Sequence, residues 1–255
     1  MPDLDILNQR LLNLEDYYST LRSRWAIDQE YYDGRFEISV PEGVTVRIPQ
    51  TGRNAVDVPS THIVTDKPVV SRRRELHGKR SREDDDDIEA WSQAFLVENE
   101  EQAETPPLHE AVKHELNRGE VVLAGPFFSK KRWQKGEADW LWYDAFDPVN
   151  VLMEPGPYPS QVFFQYDMCV REVEQLAYNR EHYKGFDRRG RSETEPTTLV
   201  EWYGYDKLGQ RFCNYACWER YDSQWIASPG RTGYDYLPAT KVYSGLGIRA
   251  AGALP

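Results

Sequence analysis

The chain has little of the chemistry on which disulfide or metal frameworks depend. It contains three cysteines in 255 residues, and none of them forms a Cys-x-x-Cys pair. Cys213 and Cys217 lie in a segment that alternates like a strand, where four residues span roughly 13 Å. That distance is too long for a disulfide between them. The low cysteine count therefore predicts a reducing compartment and no structural zinc site.

Several other signatures are also missing. No apolar run approaches the roughly 20 residues that cross a membrane, and the acidic start MPDLDILNQR has no apolar signal core. We therefore expect a soluble protein made in a cytoplasm, without a membrane partner. The sequence has no Walker motif, no G-x-S-x-G and no complete G-x-G-x-x-G, so we expect no cofactor and no catalytic residues.

Acidic residues outnumber basic ones, 42 to 31, and aromatic residues are abundant. The formal net charge is -11, and tight binding of nucleic acid through phosphates requires a basic surface. Either DNA is not a ligand, or it is a ligand that the protein must not bind tightly. The 8 Trp and 16 Tyr suit either a β-rich core or interfaces between subunits.

The first 34 residues predict an amphipathic helix. Its apolar residues follow the spacing 4, 3, 4, 3, 4, which places them on one helix face. This stripe consists of Leu7, Leu11, Leu14, Tyr18, Leu21 and Trp25. The segment from 36 to 68, rich in β-branched residues and Pro, predicts short strands or an extended arm. A charge block follows at 71–87, and a short helix is predicted after it, with Ile88, Trp91 and Phe95 facing inward.

The stretch from Thr105 to Tyr178 predicts an ordered succession of elements. Thr105 and Pro106 begin a helix that Gly119 ends. Strands are predicted at 121–128, 140–143, 149–153 and 161–166, with a polar hairpin loop KKRWQKGE after the first. A helix at about 170–183 follows. Beyond it we expect a hairpin from TTLVEWYGYD and QRFCNYACWER, and then no closing helix or strand.

Candidate catalytic and phosphate-binding residues are few. HEAVKH at 109–114 places its histidines five residues apart, so they miss the zinc-protease spacing. Asp144 and Asp147 form the best carboxylate pair near aromatic residues, although Asp147-Pro148 is more simply a turn cap. One basic cluster is a candidate charged interface or phosphate-facing loop, and the acids at 83–87 nearly cancel its charge. Its members are Arg72, Arg73, Arg74, Lys79, Arg80 and Arg82.

The order of elements resembles that of the phage portal protein family, the head–tail connectors of tailed double-stranded DNA viruses. Cys169 stands where most relatives place Ser or Thr as a helix cap, which is a departure from the family pattern. The passages that carry the resemblance are RWAIDQEYYDGRF, PPLHEAVKHELNRGEVVLAGPFF, FDPVNVLMEPG, QVFFQYDMCVREVEQLAYNREHY and LVEWYGYDKLGQRF.

The resemblance implies an α+β fold, the wing of a portal subunit, with the stem, clip and crown absent from this chain. It implies a ring, usually a dodecamer, at one vertex of the virion capsid, assembled in the host cytoplasm. The implied partners are further copies of the chain, the major capsid protein, terminase and head–tail adaptor proteins. Double-stranded DNA would pass through the channel without sequence-specific binding.

The predicted organisation has three parts. An N-terminal helix occupies 1–35, an extended arm with a charged loop and a short helix occupies 36–104, and an α+β body occupies 105–255. Two alternatives to a portal subunit stay open. One is another structural protein of the virion head or an adaptor, and the other is a carbohydrate-active enzyme that uses carboxylates such as Asp144 and Asp147.

Overall fold

The computed structural model describes residues 2–35, 51–64, 82–102, 105–136, 140–179, 186–206 and 210–243. Over these residues the chain is α+β, as predicted. The helices are α1 (Leu4–Asp33), α2 (Thr51–Val64), α3 (Arg82–Gln102), α4 (Pro107–Arg118), α5 (Lys130–Lys135) and α6 (Val170–Asn179). The strands are β1 (Glu120–Phe128), β2 (Leu141–Phe146), β3 (Val151–Met153), β4 (Gln161–Cys169), β5 (Pro196–Gly204), β6 (Asn214–Glu219), β7 (Gln224–Arg231) and β8 (Ala239–Tyr243).

The strands form two sheets. The larger sheet has the order β3-β4-β5-β6-β7, and each pair of neighbours is antiparallel. The smaller sheet has the order β2-β1-β8, with β1 and β2 antiparallel. The chain divides into two compact units: Met1–Arg24 with Asp147–Thr240, and Trp25–Phe146 with Lys241–Pro255. The predicted three-part division of the chain stays a prediction.

The first unit is built on the large sheet, and the predicted apolar stripe of α1 packs on it. Leu7, Leu11, Leu14 and Tyr18 are buried, in one cluster with Phe163 and with other strand residues. The Tyr18 hydroxyl donates a hydrogen bond to the Met153 carbonyl at 2.8 Å. The spacing of the stripe is therefore confirmed, and the sheet is the surface on which it lies.

Helix α6 covers the other face of the large sheet. Val173 and Ala177 pack against Leu199, Cys217 and Ile226, whereas the strand neighbours Val200 and Trp218 belong to the α1 cluster. Successive residues of a strand point to opposite faces. The sheet is consequently buried on both sides, which explains why its strands carry nearly continuous apolar runs.

The second unit joins the end of α1 to α4 through a reciprocal contact. The Trp25 indole donates a hydrogen bond to the Arg118 carbonyl at 3.1 Å. The Arg118 guanidinium donates back to the Trp25 carbonyl and to Gln29. Trp25 is 2% exposed, so the last residue of the predicted stripe is also buried.

Helix α4 begins one residue later than predicted. Pro106 is the residue before the helix and has no side-chain capping bond, so the prediction that Thr105 caps the helix is wrong. Pro107 has no backbone N–H that would need a partner. The next amide, that of Leu108, donates a hydrogen bond to Glu100 of α3 at 2.8 Å. The predicted end at Gly119 is confirmed, with a φ of 79° in the left-handed region.

The predicted extended arm contains a helix. The expectation for 36–50 lies outside the described residues, but Thr51–Val64 is helical, so the expectation of an extended chain there is wrong. The β-branched residues and Pro59 favour extended backbone locally, whereas Val56 and Ser60, one helical turn apart, are both buried. Gly52 permits close approach, because a Cβ there would collide with the Tyr31 carbonyl oxygen.

Helix α3 also differs from its prediction. It begins at Arg82, within the charge block, whereas the sequence predicted a helix only after that block. Phe95 is half-buried, as predicted, but Trp91 is 54% exposed and stacks on Phe95 with ring centroids 5.7 Å apart.

The hairpins are confirmed, and two strands were missed. The pairings β1 with β2 and β5 with β6 match the prediction, although the loop KKRWQKGE contains the short helix α5. Strand β7 includes Pro229 and Gly230, which disfavour a strand, and it lies at the edge of the sheet, where Pro is tolerated. Strand β8 contradicts the expectation of no closing strand, because it pairs with β1.

No helix within the described residues is long and apolar enough to cross a membrane.

Candidate functional site

The basic cluster predicted as a charged interface lies outside the described part of the chain. Arg72, Arg73, Arg74, Lys79 and Arg80 fall in the gap between 64 and 82. Arg82 is the first residue of α3, and its side chain is not among those described. The predicted role of this cluster stays a prediction.

The carboxylate pair falls on two different units. Asp147 caps a 3₁₀ turn at Pro148–Asn150 by accepting a hydrogen bond from the Val149 amide at 3.0 Å. The simple turn-cap interpretation of Asp147 is thereby confirmed. Asp144 lies on β2 in the second unit, where its carboxylate accepts from the Ala145 amide at 2.8 Å.

Asp144 has neighbours on α4 that the sequence analysis did not connect with it. Loss of solvent around the carboxyl raises the pKa of Asp144, and the charge of Glu110 raises it further, whereas His114 opposes the shift. His114 Nε2 lies 3.8 Å from a Glu110 carboxylate oxygen. The i,i+4 spacing of Glu110 and His114 on one helix face is the signal that could have grouped them.

Histidine and acidic residues of the described chain do not build a metal centre. Within these ranges no group of three His, Cys, Asp or Glu side chains could hold a metal ion. His109 and His114 both lie on α4, five residues apart, so they project from different sides of the helix.

The first unit contains an open groove with a volume of about 720 Å³. It lies where the end of β4, the beginning of α6, the beginning of β5 and the turn after β6 come together. Asp167, Glu172, Thr198, Arg220 and Tyr221 supply most of its polar lining. The sequence analysis assigned no role to these residues, because they come from four separate segments.

A buried carboxylate stands beside the groove. Glu219 has no exposed surface and accepts hydrogen bonds from Arg191 at 2.8 Å, from the Thr197 hydroxyl and from the backbone amides of Tyr221 and Asp222. Burial alone would raise the pKa of Glu219, but these donors outweigh it and hold the pKa below the ordinary value. Arg191 also lies 4.7 Å from the Tyr221 ring centroid. Together these contacts fix the turn that forms one wall of the groove.

The remaining charges of the groove are used within the fold. Arg220 donates to both carboxylate oxygens of Glu15, at 2.6 and 2.7 Å. Thr198 donates to Asp167 at 3.1 Å. Glu172 accepts from the Cys169 amide at 2.7 Å, which is the glutamate half of a capping box. The other half would be a Ser or Thr side chain at 169 that accepts from the amide of residue 172. The polar groups of the groove therefore stabilise the junction of four segments.

Exposed aromatic and aliphatic side chains are the other feature of the first unit. Along α1, Ile6, Leu12 and Tyr17 are 49%, 50% and 60% exposed. Helical spacing places Ile6 and Tyr17 on one flank of the helix and Leu12 on the other. Tyr158, in the turn between β3 and β4, is 93% exposed. Scattered apolar residues are normal on a surface, but several on one helix are suited to contact with another protein.

Comparisons with family models and with curated proteins found no match for the chain. No protein-family model matches it, and no curated protein matches it significantly.

Proposed function

We propose that this chain is the wing portion of a portal protein subunit, which assembles into a ring at a capsid vertex of a tailed double-stranded DNA phage. One observation carries the proposal. The succession of elements in which the resemblance lies is present as α4, β1, β2, β3, β4 and α6, in that order. Under this proposal terminase and head–tail adaptors dock on the ring, and the genome passes through its channel.

Two further observations support this proposal. A ring requires a heterologous contact, in which one surface of a subunit meets a different surface of the next. Ile6 and Tyr17, on one flank of α1, offer apolar surface for one side of such a contact. The net charge of -11 suits a conduit, because an acidic wall would not retard moving DNA.

Electron microscopy and mass photometry of the purified protein test the proposal. We expect closed rings with a central opening, whose mass is a whole multiple of the 29.7 kDa chain. A monomer at every concentration from nanomolar to tens of micromolar would contradict it.

The flank of α1 that carries Ile6 and Tyr17 is expected to contribute to the ring contact. Tyr17→Asp places a charge on that side, so the concentration at which half the protein is in rings should rise at least about tenfold. Tyr158→Asp is the matched control, because it changes an even more exposed tyrosine away from α1. If the two substitutions have equal effects in mass-photometry titrations, α1 is not part of the interface. That result would not contradict the ring itself.

A carboxylate enzyme is the second candidate function, and the raised pKa of Asp144 favours it. The carboxyl of a general acid has a pKa above the ordinary value, and the shift at Asp144 has that direction. Asp144→Asn should leave ring formation unchanged if the chain is a portal subunit. Loss of a polysaccharide-hydrolysing activity in Asp144→Asn, measured by release of reducing sugar, would instead support the enzyme. Asp147→Asn is the control, because Asn caps turns about as well as Asp.

A further inference from the structure

The tip of the β1–β2 hairpin combines basic and aromatic side chains within a few residues. We define the hairpin tip as the described residues 127–136 and 140–142. Four of them are cations: Lys130, Lys131, Arg132 and Lys135. Glu137 and Asp139 follow in the sequence outside the described residues, so the segment from 127 to 142 has a formal charge of +2, four cations less two acids. This sign is opposite to that of the chain as a whole.

The cations lie on a short helix whose two ends are fixed. The Ser129 hydroxyl accepts a hydrogen bond from the Arg132 amide, and Gly136 closes the helix in the left-handed conformation with a φ of 70°. The two strands below it are paired, with Phe127 opposite Trp142 and Phe128 opposite Leu141. The side chains of α5 are therefore presented by a capped turn on a paired hairpin.

Aromatic rings of the tip hold one another in fixed orientations. Phe128 lies 5.8 Å from Trp140 at 80° and 6.4 Å from Trp133 at 51°, measured between ring centroids. Phe127 and Trp142 are 5.6 Å apart, and the Arg132 guanidinium carbon lies 5.6 Å from the Trp142 centroid. Trp133 is nonetheless 56% exposed and Phe128 is 42% exposed. The tip thus presents aromatic surface to solvent, with cations on neighbouring positions.

We propose that the hairpin tip binds single-stranded nucleic acid. Proteins that bind single strands combine a positive surface for the phosphates with aromatic rings on which bases stack. A duplex hides the faces of its bases, so it would use the cations but not the rings. The tip has little aliphatic surface, with Leu141 as its one aliphatic side chain among the described residues, whereas insertion at a lipid surface depends on buried apolar area. This binding does not depend on the proposed ring.

The test is fluorescence anisotropy of the full chain with a fluorescein-labelled, mixed-sequence 15-nucleotide DNA at 20 to 200 mM salt. Binding that uses all four cations should give a plot of log affinity against log salt with a slope of about -3. Trp133→Ala should weaken binding about tenfold. The double substitution Lys130→Gln with Lys131→Gln should reduce the slope to about -1.4, since each lost phosphate contact removes about 0.7.

Matched controls separate the tip from general surface effects. Trp91→Ala removes a tryptophan of nearly the same exposure, 54%, and Arg171→Gln removes an exposed cation of α6. Both should bind as the wild type does, and far-UV circular dichroism should show every variant folded. Three outcomes would overturn the proposal: no binding at 20 mM salt, equal or tighter binding of a duplex of the same length, or equal loss in Trp91→Ala. Tighter binding to phosphatidylglycerol vesicles than to the oligonucleotide would assign the tip to lipid and overturn it too.

Discussion

Glu219→Ala is expected to destabilise the first unit by about 2–4 kcal/mol, because it removes a fully buried carboxylate that several donors share. Arg191 would lose its fully buried counter-ion and keep Glu195 and Asp222, whereas the Thr197 hydroxyl and two backbone amides would lose their acceptor. Unsatisfied buried donors each carry a desolvation cost. Urea unfolding monitored by circular dichroism should show a lower unfolding midpoint for Glu219→Ala than for the wild type.

Two substitutions bracket this effect. Glu219→Gln keeps the shape and an acceptor oxygen but removes the charge, so its loss should be smaller than that of Glu219→Ala. Glu193→Ala removes a carboxylate that is 50% exposed and pairs with Arg188 on the surface, which should cost about 1 kcal/mol or less. If Glu219→Ala unfolds at the same urea concentration as Glu193→Ala, the buried network does not stabilise the fold as argued.

The effect of Glu219 should depend on pH in one direction. Its donors hold the folded pKa of Glu219 below the ordinary value of 4.5, so the carboxylate contributes stability above that pH. The contribution is lost as pH falls through the folded pKa, because protonation removes the charge that Arg191 needs. The difference in unfolding free energy between wild type and Glu219→Ala should therefore be constant near pH 7 and shrink below pH 4.5.

The parts of the fold that the sequence predicted share one property: each is specified by local spacing or by a single special residue. The stripe from Leu7 to Trp25 needed only the period of a helix. Gly119 marks the end of α4 because the left-handed conformation there suits glycine. The hairpin of β5 and β6 followed from alternating apolar residues around a turn.

The missed elements depend on contacts between distant residues. Helix α2 forms against its local propensities, and the hydrogen bond from the Tyr32 hydroxyl to Asp57, at 2.7 Å, is one of the tertiary contacts that support it. Strand β7 contains Pro229, which only the position of an edge makes acceptable. Local sequence patterns do not show that the end of α1 packs near α2, and they do not give the order of strands in a sheet.

The sequence did not predict the groove beside Glu219, because the groove also depends on contacts between distant residues. Glu219 lies in an aromatic strand, and its partner Arg191 is 28 residues earlier in a polar segment. A single acidic residue in a strand does not indicate whether it faces solvent or a buried cation. The carboxylates that the sequence did single out, Asp144 and Asp147, drew attention through nearby aromatic residues, which the structure uses in packing.

Trp218→Ala is the second substitution expected to have a large effect, about 3–5 kcal/mol, because the indole is fully buried. Its ring meets Phe163 at 6.2 Å and Trp225 at 6.0 Å, both edge to face. Its Nε1 donates a hydrogen bond to the Asn8 side chain at 2.9 Å, which fixes α1 to the sheet. Alanine would leave a cavity under the helix and remove that bond.

The same substitution distinguishes a docked α1 from a helix that is stable by itself. The apolar stripe of α1 is buried by the sheet rather than by another helix, so amide hydrogen exchange across residues 4–21 should accelerate in Trp218→Ala. Trp218→Phe fills most of the volume but cannot donate to Asn8, so its loss should be about 1–2 kcal/mol. Trp91→Ala, at an exposed tryptophan of the second unit, should leave exchange in α1 unchanged. Unchanged exchange in Trp218→Ala as well would mean that the stripe, although correctly predicted, does not depend on the sheet for its stability.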